Sequence, residues 1–453
     1  MTRIDEPRPA LVETAPFEDS ARSNTAHAKT SRRVAITTAD QAFSSASNFA
    51  VGVVVARLAG PAGLGAYAVA YTAWLALGTA HRALITDPMS IDNDALRSDA
   101  NERLVAGVAA EAAIGLAAAG AVAVASIPLI FSGLHAFGIA LLTLAPFLPF
   151  LLVQDYWRWV GFMQARPERS LVNDAVFNCV QAFGIGALIL AGLRSPSVAI
   201  VAWGVGAVVA TVYGLRQFSV RFSLRGGVEM IRSRWPMSKW LFAGGLASWG
   251  SAQAYPLLAA PVGPVGLGGL KAAQNLMSGP TLVLIQAGGS IGLPEASRSL
   301  EHGGWPRLRR VAGWVTVAGV VSVGIVAAIV FFAGGRILDV VYGAKFVKYT
   351  TTARIIALAW LIQTLGLGPI LVLKATKQAR ALFHIALVSL VAACILLPSF
   401  SLVWGVNGTA MAIVVTAAVT AWVEINSYLR TARAFATDPA ATFELDNAPA
   451  VGP

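Results

Sequence analysis

Lys271, Gln274, Asn275 and Ser278 fall at i, i+3, i+4 and i+7 inside one apolar run. On an α-helix that spacing puts all four on one face. A cation flanked by amides suits an anionic, hydrogen-bonding ligand, such as a lipid phosphate bearing a sugar. Polar groups at membrane depth are costly, and they persist where they line a cavity or bond to a neighbouring helix. Gln41, Ser44, Ser45 and Asn48 repeat the spacing in an earlier apolar run; small polar residues of this kind line a cavity or let two helices approach closely. Arg82 is placed either to meet a phosphate through its guanidinium or to anchor a helix among headgroups. Glu111 is an isolated acid within an apolar run and the candidate site for a coupling proton or cation. Glu424 is a second such acid, near the end of its run and expected at the membrane interface.

The elements that hold these residues are membrane helices. The chain is 56% hydrophobic and 13% charged, with a mean hydropathy of +0.66, far from an ordinary soluble domain. Twelve spans of roughly 20 residues or more are expected near 34–58, 64–86, 104–131, 134–157, 172–193, 197–218, 240–260, 265–293, 311–333, 351–373, 380–399 and 404–429. Runs this long and unbroken are helices, since lipid offers nothing to an open backbone. With the N-terminus in the cytoplasm, 27 of the 34 Lys and Arg residues fall on the cytoplasmic side, six outside, and Lys271 within a span. The positive-inside rule therefore puts both termini in the cytoplasm. The net charge of +11 is topology and anionic-lipid contact. No compact basic domain lies outside the membrane, which argues against a nucleic-acid partner.

Several chemistries are missing. There is no Gly-x-x-x-x-Gly-Lys-Ser/Thr loop, and the five histidines have no zinc spacing. No hydrophilic stretch is long enough for a catalytic domain, so neither an enzyme nor a resident cofactor or metal is expected. Cys179 and Cys394 sit in different spans and are expected to pack. Asp155, Arg158, Arg166, Arg169 and Asp174 gather at one helical hairpin and are expected to pair with one another. Asp174, Asn178 and Gln181 share a face expected to point into the bundle.

Gly60-Pro61-Ala62-Gly63-Leu64-Gly65 recurs 203 residues later as Gly263-Pro264-Val265-Gly266-Leu267-Gly268. Six helices on either side of the midpoint is an even number, so the halves enter the membrane in the same sense, as parallel repeats. The expected organisation is a disordered tail (1–33), an N-terminal six-helix lobe (34–218), a basic linker (219–239), a C-terminal six-helix lobe (240–430) and a second disordered tail (431–453).

The order of short motifs resembles the bacterial polysaccharide transporters, the Wzx-like flippase branch of the multidrug/oligosaccharidyl-lipid/polysaccharide exporter superfamily. The motifs are Asp40-Gln41, Ala56-Arg57-Leu58-Ala59-Gly60-Pro61, Arg82-Ala83-Leu84 with Asp87-Pro88-Met89, Gln154-Asp155-Tyr156-Trp157-Arg158 and Val341-Tyr342-Gly343. The resemblance implies an all-α polytopic protein, two six-helix bundles around a central cavity, in the bacterial cytoplasmic membrane. It also implies alternating access that carries a polyprenyl-pyrophosphate-linked oligosaccharide to the outer leaflet, beside a glycan polymerase or other assembly proteins. Lys271, Gln274, Asn275, Ser278, Gln41, Ser45, Asn48 and Arg82 would then face the substrate. One departure is that Lys271 is the one Lys or Arg read as deep in a span, with Arg57 near an outer end. The alternatives are a cation-coupled multidrug exporter on the same fold, in which Glu111 is decisive, and a membrane glycan polymerase or ligase, which the short outer loops disfavour.

Overall fold

A computed structural model describes the backbone of residues 16–92, 99–164, 166–221, 223 and 226–437. Side chains are described from 46 onward, except 248, 251, 252, 279, 280, 282–294, 303 and 437. All regular structure among the described residues is helical. In chain order the helices are α1 (Pro16–His81), a π-turn (Arg82–Thr86), α2 (Asp87–Ile91), α3 (Ala100–Ile130), α4 (His135–Leu144), a 3-10 turn (Ala145–Phe147), α5 (Leu148–Met163), α6 (Pro167–Leu190) and α7 (Pro196–Gln217). The second half holds α8 (Gly227–Gln253), α9 (Tyr255–Leu258), α10 (Gly263–Tyr342), α11 (Thr350–Thr364), α12 (Leu367–Ala375) and α13 (Ala379–Thr437).

Among the described residues, eight helical stretches are long and apolar enough to cross a membrane, against the twelve spans expected. The difference has two sources. The seventh and eighth expected spans, 240–260 and 265–293, have no counterpart among the eight, and they contain residues 248, 251, 252, 279, 280 and 282–293, whose side chains are not described. Elsewhere Ala46–Ile91 and Ala379–Ala436 each hold two expected spans. Ala46–Ile91 is 46 residues, about 69 Å at 1.5 Å per residue, over twice the roughly 30 Å of hydrocarbon. It breaks at Gly60 (φ 68°, ψ −165°), a conformation that strains any residue bearing a Cβ. Gly304 and Gly405 break α10 and α13 in the same way.

Three expected boundaries are corrected. α1 is already helical from Pro16, inside the stretch expected to be disordered; no Gly or Pro stands between Pro16 and Gly52 to stop it. α8 begins at Gly227, so most of the expected linker is helix, and α13 continues to Thr437 in the expected second tail.

Lipid is the solvent these helices suit. Leu190, Phe332 and Phe183 are 90%, 82% and 79% exposed, a pattern natural against acyl chains and costly in water. Cys179 and Cys394, expected to pack, are also exposed. The largest core joins the two halves through Tyr67, Trp203, Leu267, Met277, Tyr342 and Ile356.

The repeated Gly-Pro segments touch each other. A Cβ on Gly65 would collide with the Pro264 carbonyl oxygen, and one on Gly268 with the Pro61 carbonyl oxygen. Beside them Arg57 of α1 donates from Nε to the Val341 carbonyl at 2.9 Å and from Nη2 to the Val340 carbonyl. A cation there meets the carbonyls of the last turn of α10, where the helix dipole favours it.

Candidate substrate cavity and buried ion-pair cluster

A polar cavity opens among α1, α5, α6 and α7, with Asn48, Gln154, Asp155, Arg158 and Asp174 in its wall. α5 supplies three of them because 154, 155 and 158 lie within one helical turn. The Asp174 carboxylate is held from two sides: Arg158 Nε is 3.2 Å from Oδ2, and Gln154 Nε2 donates to Oδ1 at 2.8 Å. Asn178 Nδ2 donates to the Asp174 backbone carbonyl at 2.7 Å, and Asn173 Nδ2 to that of Ala210 at 3.0 Å. Such multiple bonding is what a buried charge pair requires to persist.

Part of the wall is aromatic. Tyr71 and Trp74 of α1 and Trp203 of α7 line the cavity, with ring centroids 5.9 Å apart for Tyr71–Trp74 and 5.4 Å for Trp74–Trp203. Trp74 Nε1 is buried with no hydrogen-bond partner, an N–H with spare capacity. Lys271 enters from the C-terminal half. Its Nζ stands 5.9 Å from the ring centroids of both Tyr71 and Tyr255, within the range of cation–π attraction. Tyr71 thus links the cavity wall to the cation of α10.

Beside the cavity, His81 is fully buried and uses both ring nitrogens. Nδ1 is 3.0 Å from Glu111 Oε1 on α3, and Nε2 is 2.9 Å from Asp155 Oδ2 on α5. His81 ends α1, and the π-turn follows at once; such insertions are frequent at functional sites. Arg82, first in that turn, donates from Nε to the Gly78 carbonyl at 2.9 Å and lies over the Trp159 ring at 5.7 Å.

No protein-family model and no curated protein matches this chain. Solved structures do. An inward-facing multidrug resistance MATE family transporter of the MOP superfamily aligns with a TM-score of 0.64 at 14% identity, over 87% of this chain and 96% of the other. The lipid II flippase MurJ, in an inward closed conformation, aligns with a TM-score of 0.64 at 13% identity, over 88% and 89%. The chain has the fold of these transporters. A MOP superfamily transporter from Pyrococcus furiosus, described as having a binding pocket of reverse polarity, shares it with a TM-score of 0.58 at 11% identity, over 90% and 96%.

On this transporter fold the residues singled out from the sequence are partly brought together. Asn48 stands in the cavity wall, Lys271 beside it and Glu111 in the neighbouring cluster. Arg82 lies within electrostatic reach of Asp155. Gln274 and Ser278 are half-buried on α10, and Asn275 faces α1, its Nδ2 3.7 Å from where a Cβ on Gly52 would stand. The side chains of Gln41, Ser44 and Ser45 lie outside the described residues. Asp174, Asn178 and Gln181 are all buried, as their shared face implied.

The expected pairing within the hairpin holds in part: Arg158 of α5 pairs with Asp174 of α6 across it, whereas Asp155 turns to His81 of α1. Lys271 is not the one cation at the cavity, since α5 runs on to Met163 and carries Arg158 into the cavity wall. Glu424 is buried, its carboxylate against Gly366 where α11 gives way to α12. Sequence reasoning missed His81 and the aromatic wall. Tyr67, Tyr71 and Trp74 do carry a signal, an i, i+4, i+7 stripe; His81 carries none, its partners being 30 and 74 residues away.

Proposed function

We propose that this protein is a flippase that moves a polyprenyl-pyrophosphate-linked oligosaccharide from the cytoplasmic to the outer leaflet of a bacterial cytoplasmic membrane. The observation that carries the reading is the pairing of Lys271 with an aromatic wall beside Arg158 and the amides of Gln154 and Asn178. Aromatic faces and amides suit sugar rings and hydroxyls, and the two cations suit a pyrophosphate. The same architecture, in this reading, is twelve helices in two parallel six-helix repeats. Gly60, Gly304 and Gly405 mark the turns between paired spans, and the reciprocal Gly65–Pro264 and Gly268–Pro61 contacts are the trace of the repeat axis. With the termini cytoplasmic, those contacts close the outer end and the cavity faces inward, in keeping with the likeness to inward-facing and inward closed structures. Gln274, Ser278, Gln41, Ser45, Asn48 and Arg82 complete the proposed substrate path. A glycan polymerase or other assembly proteins are the proposed partners.

The test is the sidedness of polyprenyl-linked oligosaccharides in membranes of cells lacking the protein. Retention in the cytoplasmic leaflet, rescued by wild type but not by Lys271→Ala at equal membrane abundance, is expected. Normal outward exposure refutes the reading. A second reading, a cation-coupled exporter of amphipathic drugs, is favoured by Asp155 and Asp174 beside Tyr71, Trp74 and Trp203 in the cavity wall. It requires drug susceptibility in the deletion strain with normal lipid sidedness.

A further inference from the structure

We propose that His81, Glu111 and Asp155 form a proton-binding site, open to the cavity at Asp155 and sealed at Glu111. The inference rests on the transporter reading and adds to it an ion whose binding is linked to the charge of the cavity. Asp155 stands in the cavity wall while Glu111 and His81 are fully buried. Access therefore has a direction.

The proton count follows from the geometry. Two hydrogen bonds, Nδ1 to Glu111 and Nε2 to Asp155, require two protons among three groups. The resting cluster is an imidazolium between two carboxylates, with a net charge of −1. Glu111 Oε2 is buried without any hydrogen-bond partner, so this charge is poorly compensated at the sealed end. One further proton neutralises the cluster. Asp155 takes it from the cavity on Oδ1 as the imidazole passes its Nδ1 proton to Glu111 Oε1. Both hydrogen bonds survive with Glu111 now donating, and only O–H and N–H bonds change.

The charged surroundings are few. Arg82 of the π-turn and Arg158 of α5 lie within electrostatic reach of Asp155, and Arg158 is paired with Asp174 of α6. α8, packed on α3 and the π-turn, presents Gly227 to the Ala109–Ala110 backbone and Ser238 to the Leu84 carbonyl. A metal ion fits poorly, because the carboxylates take opposite edges of the imidazole. Among the described residues no group of three or more His, Cys, Asp or Glu side chains is arranged to hold one.

The test is pH-difference infrared spectroscopy on the purified full chain in lipid nanodiscs, without cargo. Between about pH 5 and pH 8, wild type should gain the C=O stretches of two protonated carboxyls, Asp155 and Glu111, and Glu111→Gln should lose the one that belongs to the buried Glu111. His81→Gln, which removes the titrating ring, is the second variant and should also lose or displace the band. No carboxyl band in folded wild type, or a band unchanged in either folded variant, overturns the site. The two proposals fail separately. A missing band refutes the proton site while lipid sidedness still tests flipping, and normal sidedness refutes flipping while the band still tests the site.

Discussion

Replacing Gly65 with Ala tests whether the two halves must part at the repeated Gly-Pro segments. The added Cβ would collide with the Pro264 carbonyl oxygen and stand 2.9 Å from the Gly268 nitrogen. Both neighbours are backbone of another helix, which no rotamer change can move aside. Overpacking of this kind costs about 1–3 kcal/mol. The cost applies only while the segments touch, so it shifts the population away from that state by about 5–150-fold. Nitroxides on Ser195 and Asp339, in a background with Cys179 and Cys394 changed to Ser, read the separation by pulsed electron resonance. Both label sites are exposed. Ser195 adjoins Pro196, which packs near Gly63, and Asp339 precedes the carbonyls that Arg57 holds. The distance distribution should move to longer values in Gly65→Ala. Gly268→Ala should do the same, and the double variant should add less than the sum, since both relieve one contact. Gly120→Ala, with open space around its Cβ, is the control. An unchanged distribution in well-folded Gly65→Ala refutes a separable contact.

Two smaller perturbations follow. Arg57→Ala removes the bonds to Val340 and Val341 and should shift the same distribution in the same direction. The effect should be smaller, about 0.5–1.5 kcal/mol for hydrogen bonds at an exposed site. Gly366→Ala would drive a Cβ into the Glu424 carboxylate and should lower thermal stability in detergent by about 1–3 kcal/mol. Glu424→Ala in the same chain should restore most of that loss, and a double variant no more stable than Gly366→Ala would show that the strain lies elsewhere.

Helix content and membrane placement were legible because apolar length is a local property, summed over each run. The break at Gly60 and the start of α10 at Gly263 were legible too, since both stand in a repeated segment, whereas Gly304 and Gly405 stand in none. What the sequence did not reveal was which helices meet. Asn48 and Lys271 stood out as polar residues in apolar runs, and both lie in or beside the cavity. Arg158 did not, because the run that carries it ends one residue earlier by hydropathy while the helix continues to Met163. His81 reads from sequence as one of five scattered histidines. It becomes a site only when α1, α3 and α5 converge, a property of packing that no spacing rule encodes. Helical order from Pro16 is not legible from polar composition, which suits a disordered tail and a solvated helix alike; the absence of Gly and Pro up to Gly52 is the signal for helix.

The buried cluster and the cavity also supply a way to tell the two transport readings apart, through the sign of their coupling. Asp155 and Arg158 are three apart on α5, about 5–6 Å between Cβ atoms, and Arg158 faces the cavity. A proton that takes the cluster from −1 to zero removes one negative charge from the cavity's edge. Across about 8 Å at an effective dielectric of about 20, that charge is worth about 2 kcal/mol to a monovalent ligand, or roughly thirtyfold in affinity. An anionic pyrophosphate headgroup must then bind more tightly as the pH falls through the cluster's titration, and a cationic drug more weakly. Linkage makes the effect reciprocal, so the anion also raises the proton occupancy of the cluster and the cation lowers it. Isothermal titration of the nanodisc-held protein with inorganic pyrophosphate and with a lipophilic cation, each from about pH 8 to pH 5, reads the sign directly. Glu111→Gln should flatten both slopes. Tighter cation binding at low pH, or a pyrophosphate affinity that ignores pH in wild type, would break the link between the cluster and the cavity.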